Sequence, residues 1–419
     1  MQHVSFRPQP THASIPGPVK PALALPSIPS IAVLPFANLS GDRQQEYFSD
    51  GISNQLIEDL SRLPGLFVIA PNSTFSYKGK AIKEQEVGRE LGVRYLLEGS
   101  VQRSPERIRI GVELVDAGAG AEIWAHRFDR PLKDIFAVQD EIVGKVVTTL
   151  GLILKSEERK VPWRSFPTTG NLQAFDALLR AGEYAAEFSK DGNLKECHWL
   201  EKAIELDPGY ADAYMWLGGA YSQNVLFGWS DSPQQDLNHA SELAQKTLVL
   251  DDSNAGAFVT LCAVDWLQMR FDDAVAQCNR AISMAPNNPD AYVELSDALT
   301  VSNRPEEAAR AAEKAMRLDP ARQEFYAYFI ASPYVQMGRY QEAIPLLKQH
   351  LAVYPNMAWA HAILIVAYVE LGREQEAQAE AAELKRISPQ FLAHVHAGVV
   401  KDPAGNKHLE DDLRKAGMN

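Results

Sequence analysis

The stretch SIAVLPFANLSGD, Ser30 to Asp42, has the outline of a phosphate site. A short apolar run breaks into a polar glycine loop just ahead of a helical pattern. A phosphate cradle needs several glycines, so that backbone N–H groups converge on the anion, and usually a lysine before Ser or Thr. This loop has Gly41 alone, and Asp42 follows it with a carboxylate that repels phosphate. The segment AGAGAE, 117–122, is richer in glycine but joins two strand patterns rather than a strand and a helix. Both loops therefore read as structural, the first turning the chain into its first helix. Thiol chemistry is equally thin. Cys197, Cys262 and Cys278 are an odd, sparse set and not a disulfide framework. They are expected to be buried reduced thiols, with Cys262 and Cys278 filling core positions where small residues pack. His394 and His396 alternate in HVH with Asp402 nearby, but a metal site needs three or four converging ligands. Carboxylates close in sequence, Asp42 with Asp50 and Asp272 with Asp273, read as solvated surface. No G-x-S-x-G, H-E-x-x-H, C-x-x-C or P-loop is present. The expectation is a chain without catalytic residues, cofactor or metal.

What remains is binding, and charge narrows the partner. The first 160 residues carry 19 basic and 19 acidic side chains, so the whole net charge of −13 lies beyond them. Residues 201–300 alone hold 4 basic and 15 acidic side chains. Such a surface repels phosphate backbones and anionic lipid, which argues against nucleic acid and membrane as partners. No apolar run approaches the ~18–20 residues of a membrane span. The partner expected is a protein or peptide of basic character, met in the cytoplasm.

The elements that would present such a surface are repeated. AIELDPGYADAY (203–214) returns as TLVLDDSNAGAF (247–258), AISMAPNNPDAY (281–292), AMRLDPARQEFY (315–326) and HLAVYPNMAWAH (350–361). The punctuating residues Pro208, Asp252, Pro286, Pro320, Pro355 and Pro389 are spaced by 44, 34, 34, 35 and 34. Ala240, Ala274, Ala308, Ala343 and Ala377 recur where two antiparallel helices must approach closely. A proline ends each second helix because it cannot continue the hydrogen-bond ladder. The period of 34 and the run Tyr214-x-x-Leu217-Gly218-x-x-Tyr221 are the tetratricopeptide (TPR) pattern. The 44-residue spacing marks an insertion near 222–238, read as a longer helix or an inter-helix loop. Each such pair leaves an apolar face until the next stacks on it, so a solenoid with a concave groove is predicted. First-helix positions place Asp212, Met215, Ser222, Val259, Trp266, Asp290, Val293, Asp297, Trp359 and Val366 toward that groove. Trp266 and Trp359 are its candidate anchors, since an aromatic in an acidic groove suits a peptide with basic and apolar residues.

Ahead of the repeats the period changes. Ile31–Phe36 and Leu66–Ala70 read as short buried strands. Between them Phe48, Ile52, Leu56, Leu60 and Leu63 form one helical stripe. After a polar loop and a second helix, EQEVGRELG, come three strands. In the middle one Ile108, Ile110, Val112 and Leu114 alternate with polar residues, as in a half-buried antiparallel strand. A long helix from about 134 to 154 closes the unit. The order β-α-β-α-β-β-β-α predicts an α+β domain with a mixed sheet, followed by the all-α TPR solenoid.

SIAVLPFANLSGD, YFSDGISNQLIEDLSR, LFVIAPNSTFSYKGK, VGRELGVRYLLEGSVQR, LVDAGAG and IWAHRFDR together resemble the TolB amino-terminal-like domain. The resemblance implies a unit lying between an N-terminal output domain and C-terminal TPR repeats. That output domain is often an adenylate/guanylate cyclase, as in rhizobial cyclases, or a winged-helix DNA-binding domain. It carries over no catalytic residues, and neither output domain is recognisable in this sequence. The expected organisation is a proline-rich linker (1–28), the α+β domain (29–158), a linker (159–170), about six helix pairs (171–389) and a cap (390–419). The proline-rich start reads as the tail of a linker to an upstream part. The expected function is non-enzymatic: a scaffold in bacterial signalling, or the regulatory portion of a cyclase or winged-helix regulator.

Overall fold

The computed structural model describes residues 22–151, 169–187, 189–396 and 401–418, the side chains of 393, 394 and 396 excepted. Most of the proline-rich start, nearly all of the 159–170 linker and the side chains of the HVH pair lie outside the described residues.

The first unit is built on one mixed sheet. Its strands are β1 (Ser30–Val33), β2 (Ala37–Asn38), β3 (Phe67–Val68), β4 (Tyr95–Arg103), β5 (Arg107–Asp116) and β6 (Ala121–Pro131). The order is β3-β1-β4-β5-β6, with β2 also on β4. β1 runs parallel to β3 and β4, β2 parallel to β4, and β4, β5 and β6 form the antiparallel meander. Pro35 cannot donate to a ladder, and the predicted strand Ile31–Phe36 stops at Val33 as β1, pairing resuming only past it in β2. The helices are α1 (Glu46–Ser61), α2 (Pro71–Phe75), α3 (Glu84–Leu91) and α4 (Ile135–Thr149). α2 forms where the sequence suggested only a polar loop; Pro71 at its first position leaves no N–H unused. Gly41 takes φ +78°, and the Asp42 carboxylate caps the turn into α1 by accepting the Gln44 N–H at 2.9 Å. That carboxylate is occupied in holding the turn.

Six antiparallel helix pairs follow: α5 (Leu172–Ala185) with α6 (Lys190–Leu206), α7 (Ala211–Leu226) with α8 (Pro233–Leu250), and α9 (Ala255–Leu267) with α10 (Phe271–Met284). Then come α11 (Pro289–Val301) with α12 (Pro305–Leu318), α13 (Gln323–Gln336) with α14 (Tyr340–Val353), and α15 (Ala358–Glu370) with α16 (Glu374–Ile387). α17 (Phe391–His396) and α18 (Pro403–Lys415) close the row. Ala240, Ala274, Ala308 and Ala343 have no exposed surface, as close helix approach demands. The ten-residue excess of the second pair is taken up by longer helices and the loop 227–232.

One close approach departs from expectation. Cys262 in α9 and Cys278 in α10 are joined as a disulfide, with Cα atoms 5.4 Å apart, rather than standing as two reduced thiols. Both occupy fully buried small-residue positions on facing helices, and the same packing that excludes large side chains brings the two sulfur atoms together. Cys197 keeps its thiol, which burial pushes up to about 12.

The two units share one core. Phe175 of α5 meets Phe48 and Phe136 edge-to-face at 6.4 and 5.1 Å. Beside them Asp176 accepts hydrogen bonds from Tyr47 at 2.6 Å and Arg103 at 2.8 Å, and pairs with Arg180 at 3.0 Å. Burial alone would raise the Asp176 pKa, but these three donors hold it below its ordinary value.

The α+β unit also reaches the middle of the solenoid. Asn287, buried in the turn before α11, donates to the Ser61 and Leu66 carbonyls at 3.2 and 2.8 Å and accepts from the Val68 N–H at 3.3 Å. Arg317 donates to the Leu91 and Gly92 carbonyls, completing the C-terminus of α3. Asp319, with no exposed surface, accepts from Ser73 at 2.6 Å, Tyr326 at 3.0 Å and Asn72 at 3.2 Å. The α+β unit thus spans the solenoid from its first pair to the α12–α13 turn.

Candidate functional site

That span encloses space. A cavity of about 2150 Å³ runs along the concave side, walled by the first helices of the pairs on one side and by α1 on the other. Its position follows from the repeat: first helices face inward, so side chains one turn apart on α7, α9, α11, α13 and α15 line up along a common wall.

Asp212, Met215, Ser222, Val259, Trp266, Asp290, Val293, Asp297, Trp359 and Val366 all border this one cavity. They do not contribute equally. Asp212, Ser222, Val293 and Val366 are buried to 7 % exposure or less and support the wall from within. The Asp212 carboxylate accepts from the Asn254 side chain of the next repeat at 2.9 Å, so it ties two repeats together. The Ser222 hydroxyl donates to the Gly219 carbonyl. Met215, Val259, Trp266, Asp290, Asp297 and Trp359 keep surface on the cavity.

The two tryptophans are held rather than loose. The Trp266 indole N–H donates to Glu294 at 2.7 Å. Trp359 packs edge-to-face on Phe391 with ring centroids 4.8 Å apart. Each ring is partly buried, which fixes its orientation and leaves one part toward the cavity.

The carboxylates give the cavity its chemistry. Asp290, Glu294 and Asp297 stand at i, i+4 and i+7 on α11 and share a face. Asp290 keeps exposed surface, and its own rise in pKa by desolvation is opposed by the Arg322 charge. Glu294 and Asp297 are half-buried and raised in pKa by desolvation, Glu294 to about 7 with the Asp290 charge adding to the effect. The Trp266 N–H opposes that shift by favouring the Glu294 anion. At the other end Glu58 of α1 is raised to about 7 by burial and then by the neighbouring Asp212 charge. Glu196 of α6 is raised to about 8 by burial alone. Carboxyls that resist ionisation in isolation ionise readily when a cation arrives beside them. The wall therefore favours a cationic side chain, with Met215, Val259 and the tryptophans supplying apolar contact.

Glu294, Glu58 and Glu196 escape a reading based on groove positions. Glu294 carried a signal, because it lies four residues after Asp290. Glu58 and Glu196 carried none, since their place depends on how α1 and α6 meet the concave side. Trp216, 38 % exposed, and the paired rings of Phe227 and Trp229, 5.3 Å apart, also border the cavity.

Among the described residues no helix is long and apolar enough to cross a membrane.

Comparison with known proteins agrees with the repeat architecture and divides over the first unit. The tetratricopeptide repeat family matches residues 266–328 and 334–399. Residues 27–145 match the second domain of HilA/YgeH-like transcriptional regulators, and not the TolB-like assignment that the motifs suggested. "Putative adenylate cyclase 3" of Rhizobium meliloti (strain 1021) is 41% identical over 256 residues, 61% of this chain and 43% of that protein. Superkiller protein 3 of Schizosaccharomyces pombe is 25% identical over 336 residues, 63% of this chain and 23% of that protein. The chain thus spans less than half the length of either relative. Among solved structures, Pseudomonas aeruginosa pilF is 20% identical with a TM-score of 0.40, over 53% of this chain and 95% of that one. The TPR protein YrrB is 20% identical with a TM-score of 0.34, over 47% and 96%. The chain is a mixed-sheet unit followed by tetratricopeptide repeats, and part of it is homologous to a protein that bears the name "Putative adenylate cyclase 3".

Proposed function

We propose that this chain is a non-enzymatic interaction unit of bacterial signalling, whose concave cavity takes a segment of a partner protein bearing basic and apolar side chains. The observation that carries the reading is the wall formed by Asp290, Glu294 and Asp297 beside Trp266. A lysine or arginine set against that face would supply a countercharge to those carboxylates, while its neighbours pack on the rings. The reading is tested by calorimetric titration with peptides that pair lysine with leucine or tryptophan, alongside peptides with glutamate in place of lysine. Basic peptides are expected to bind, and more tightly at pH 8 than at pH 6 as Glu294 ionises. Trp266→Ala is expected to weaken them about 30-fold, the scale of an interface hot spot. Equal binding of the acidic peptides, or no effect of Trp266→Ala and Trp359→Ala together, would refute it.

A second reading is supported by the 41% identity to the cyclase-described protein. In it the chain is the regulatory portion of an adenylate or guanylate cyclase, its first unit TolB-like; the match over 27–145 supports the corresponding portion of a transcriptional regulator instead. An antibody to residues 171–389 sizes the native polypeptide. A band at 46.4 kDa favours the standalone scaffold. A band heavier by roughly one domain, ~20 kDa, favours the regulatory portion.

A further inference from the structure

We infer that Glu370, His408 and Asp412 form a binding site for a divalent transition-metal ion, which pins the last helix of the chain to the final repeat. His408 and Asp412 stand at i, i+4 on α18 and project from one face. Glu370 is the last residue of α15, brought opposite them by the packing of α18 on that helix. The His408 Nε2 lies 3.4 Å from Asp412 Oδ2 and 3.6 Å from Glu370 Oε1, and the ligand atoms all fall within 4.8 Å of one another.

Those distances fit ion pairs of a protonated His408 and also fit ligation of a shared ion. They exceed the 2.7–3.2 Å of good N–H···O hydrogen bonds. Ligand atoms held about 2.0–2.1 Å from a tetrahedral ion stand roughly 3.3–3.4 Å apart, close to what is seen here. A second observation is independent of the spacing. Asp412 is wholly buried, and its Oδ2, the atom facing His408, has no hydrogen-bond partner. A buried carboxylate oxygen without a donor is costly unless something else satisfies it. The other oxygen of Asp412 is already engaged, accepting from Lys415 at 2.8 Å. Such a partner fixes the orientation of a carboxylate that binds a metal. One imidazole and two carboxylates suit Zn²⁺ and its neighbours, with water completing the coordination. His408 also borders the end of the cavity, but this inference does not rest on the cavity's taking a peptide.

The test uses the full chain stripped with chelator and titrated with Zn²⁺ alone at neutral pH. One equivalent is expected to bind and to raise the melting temperature. His408→Ala, an exposed position whose loss leaves the fold intact, is expected to weaken binding by at least ~100-fold and abolish the thermal shift. Glu370→Gln is expected to weaken it in the same direction, and His198→Ala, an exposed histidine on another helix, to change nothing. Replacing Zn²⁺ by Co²⁺ should give the visible absorption of a four-coordinate ion in the native chain and not in His408→Ala. Binding of Zn²⁺ that is undiminished by His408→Ala, or no binding at submillimolar metal, would overturn the assignment.

Discussion

Replacing Asp319 by alanine is expected to lower the free energy of unfolding by about 3 kcal/mol, a large effect for a single polar side chain. The carboxylate has no exposed surface and accepts from three donors, Ser73, Asn72 and Tyr326. Removing it strands the buried Ser73 and Tyr326 hydroxyls, each at a cost of about 1–3 kcal/mol unless water reaches it, while the exposed Asn72 amide turns to solvent. Ser73→Ala removes one donor and leaves Asp319 with two, so it is expected to cost only about 1 kcal/mol. The damage should also be local. The contact of the α+β unit with α5, through the rings of Phe48, Phe136 and Phe175 and the Asp176 cluster with Tyr47 and Arg103, does not involve Asp319. The α+β unit would stay attached at its first contact and loosen at its second. Urea unfolding gives the magnitude. Hydrogen exchange gives the place, with faster exchange expected at 70–77 and 318–326 and unchanged exchange at 172–181. A cost below about 0.5 kcal/mol would mean that water replaces the carboxylate and that the joint is wet.

The second large effect concerns pH. Glu196 is 4 % exposed, and burial raises its carboxyl from an ordinary 4.5 to about 8. The sign follows from proton binding. Between those two values the folded chain holds a proton that the unfolded chain has released, so stability falls as pH rises through this window. Below about 4.5 both states are protonated and the penalty vanishes. Above about 8 both are ionised and the penalty is complete, on the order of 4 kcal/mol for this group. Glu58 and Glu294, raised to about 7, act in the same direction. Glu196→Gln is therefore expected to leave stability unchanged near pH 5 and to raise it by about 3 kcal/mol at pH 9. Melting temperatures of both chains across that range check it. Parallel curves would show that Glu196 is solvated in the folded protein and that its wall of the cavity is open to water.

The pH behaviour also bears on the proposed partner. A cation bound beside Glu294 would stabilise its anion and make the folded state release a proton. The same carboxyls that weaken the empty protein at high pH would then strengthen its complex. A protein that keeps several carboxyls under-ionised along a concave cavity gives up stability at neutral pH, and binding of a basic segment would recover it.

Much of this was legible in the sequence because it is local. The 34-residue spacing of prolines, the alanines at helix crossings and the alternation of Ile108, Ile110, Val112 and Leu114 each record a period of the backbone. A period determines which face is buried without reference to distant residues. For the same reason the first-helix positions from Asp212 to Val366 share one wall: the repeat carries each residue to the same place one pair further on. The sequence did not separate the members that present surface, such as Trp266 and Asp297, from Asp212 and Val293, which support the wall from behind. That distinction depends on the tilt between successive pairs.

The rest was decided by contacts that no period encodes. Asn287 and Asp319 look like ordinary turn residues of the repeat. Their role as joints depends on Ser61 and Ser73, 226 and 246 residues away in the chain. The disulfide escaped notice because a cysteine at a small-residue position fits the helix crossing equally well as a thiol or as half of a bond. Only the 5.4 Å approach of the two Cα atoms distinguishes them. The triad of Glu370, His408 and Asp412 likewise joins two helices that are far apart in sequence. Periodicity alone determined the solenoid and the mixed sheet. Closure of the first unit over that solenoid, which makes a groove into a cavity and raises its carboxyls, was decided by the tertiary structure, because desolvation depends on everything that surrounds a charge.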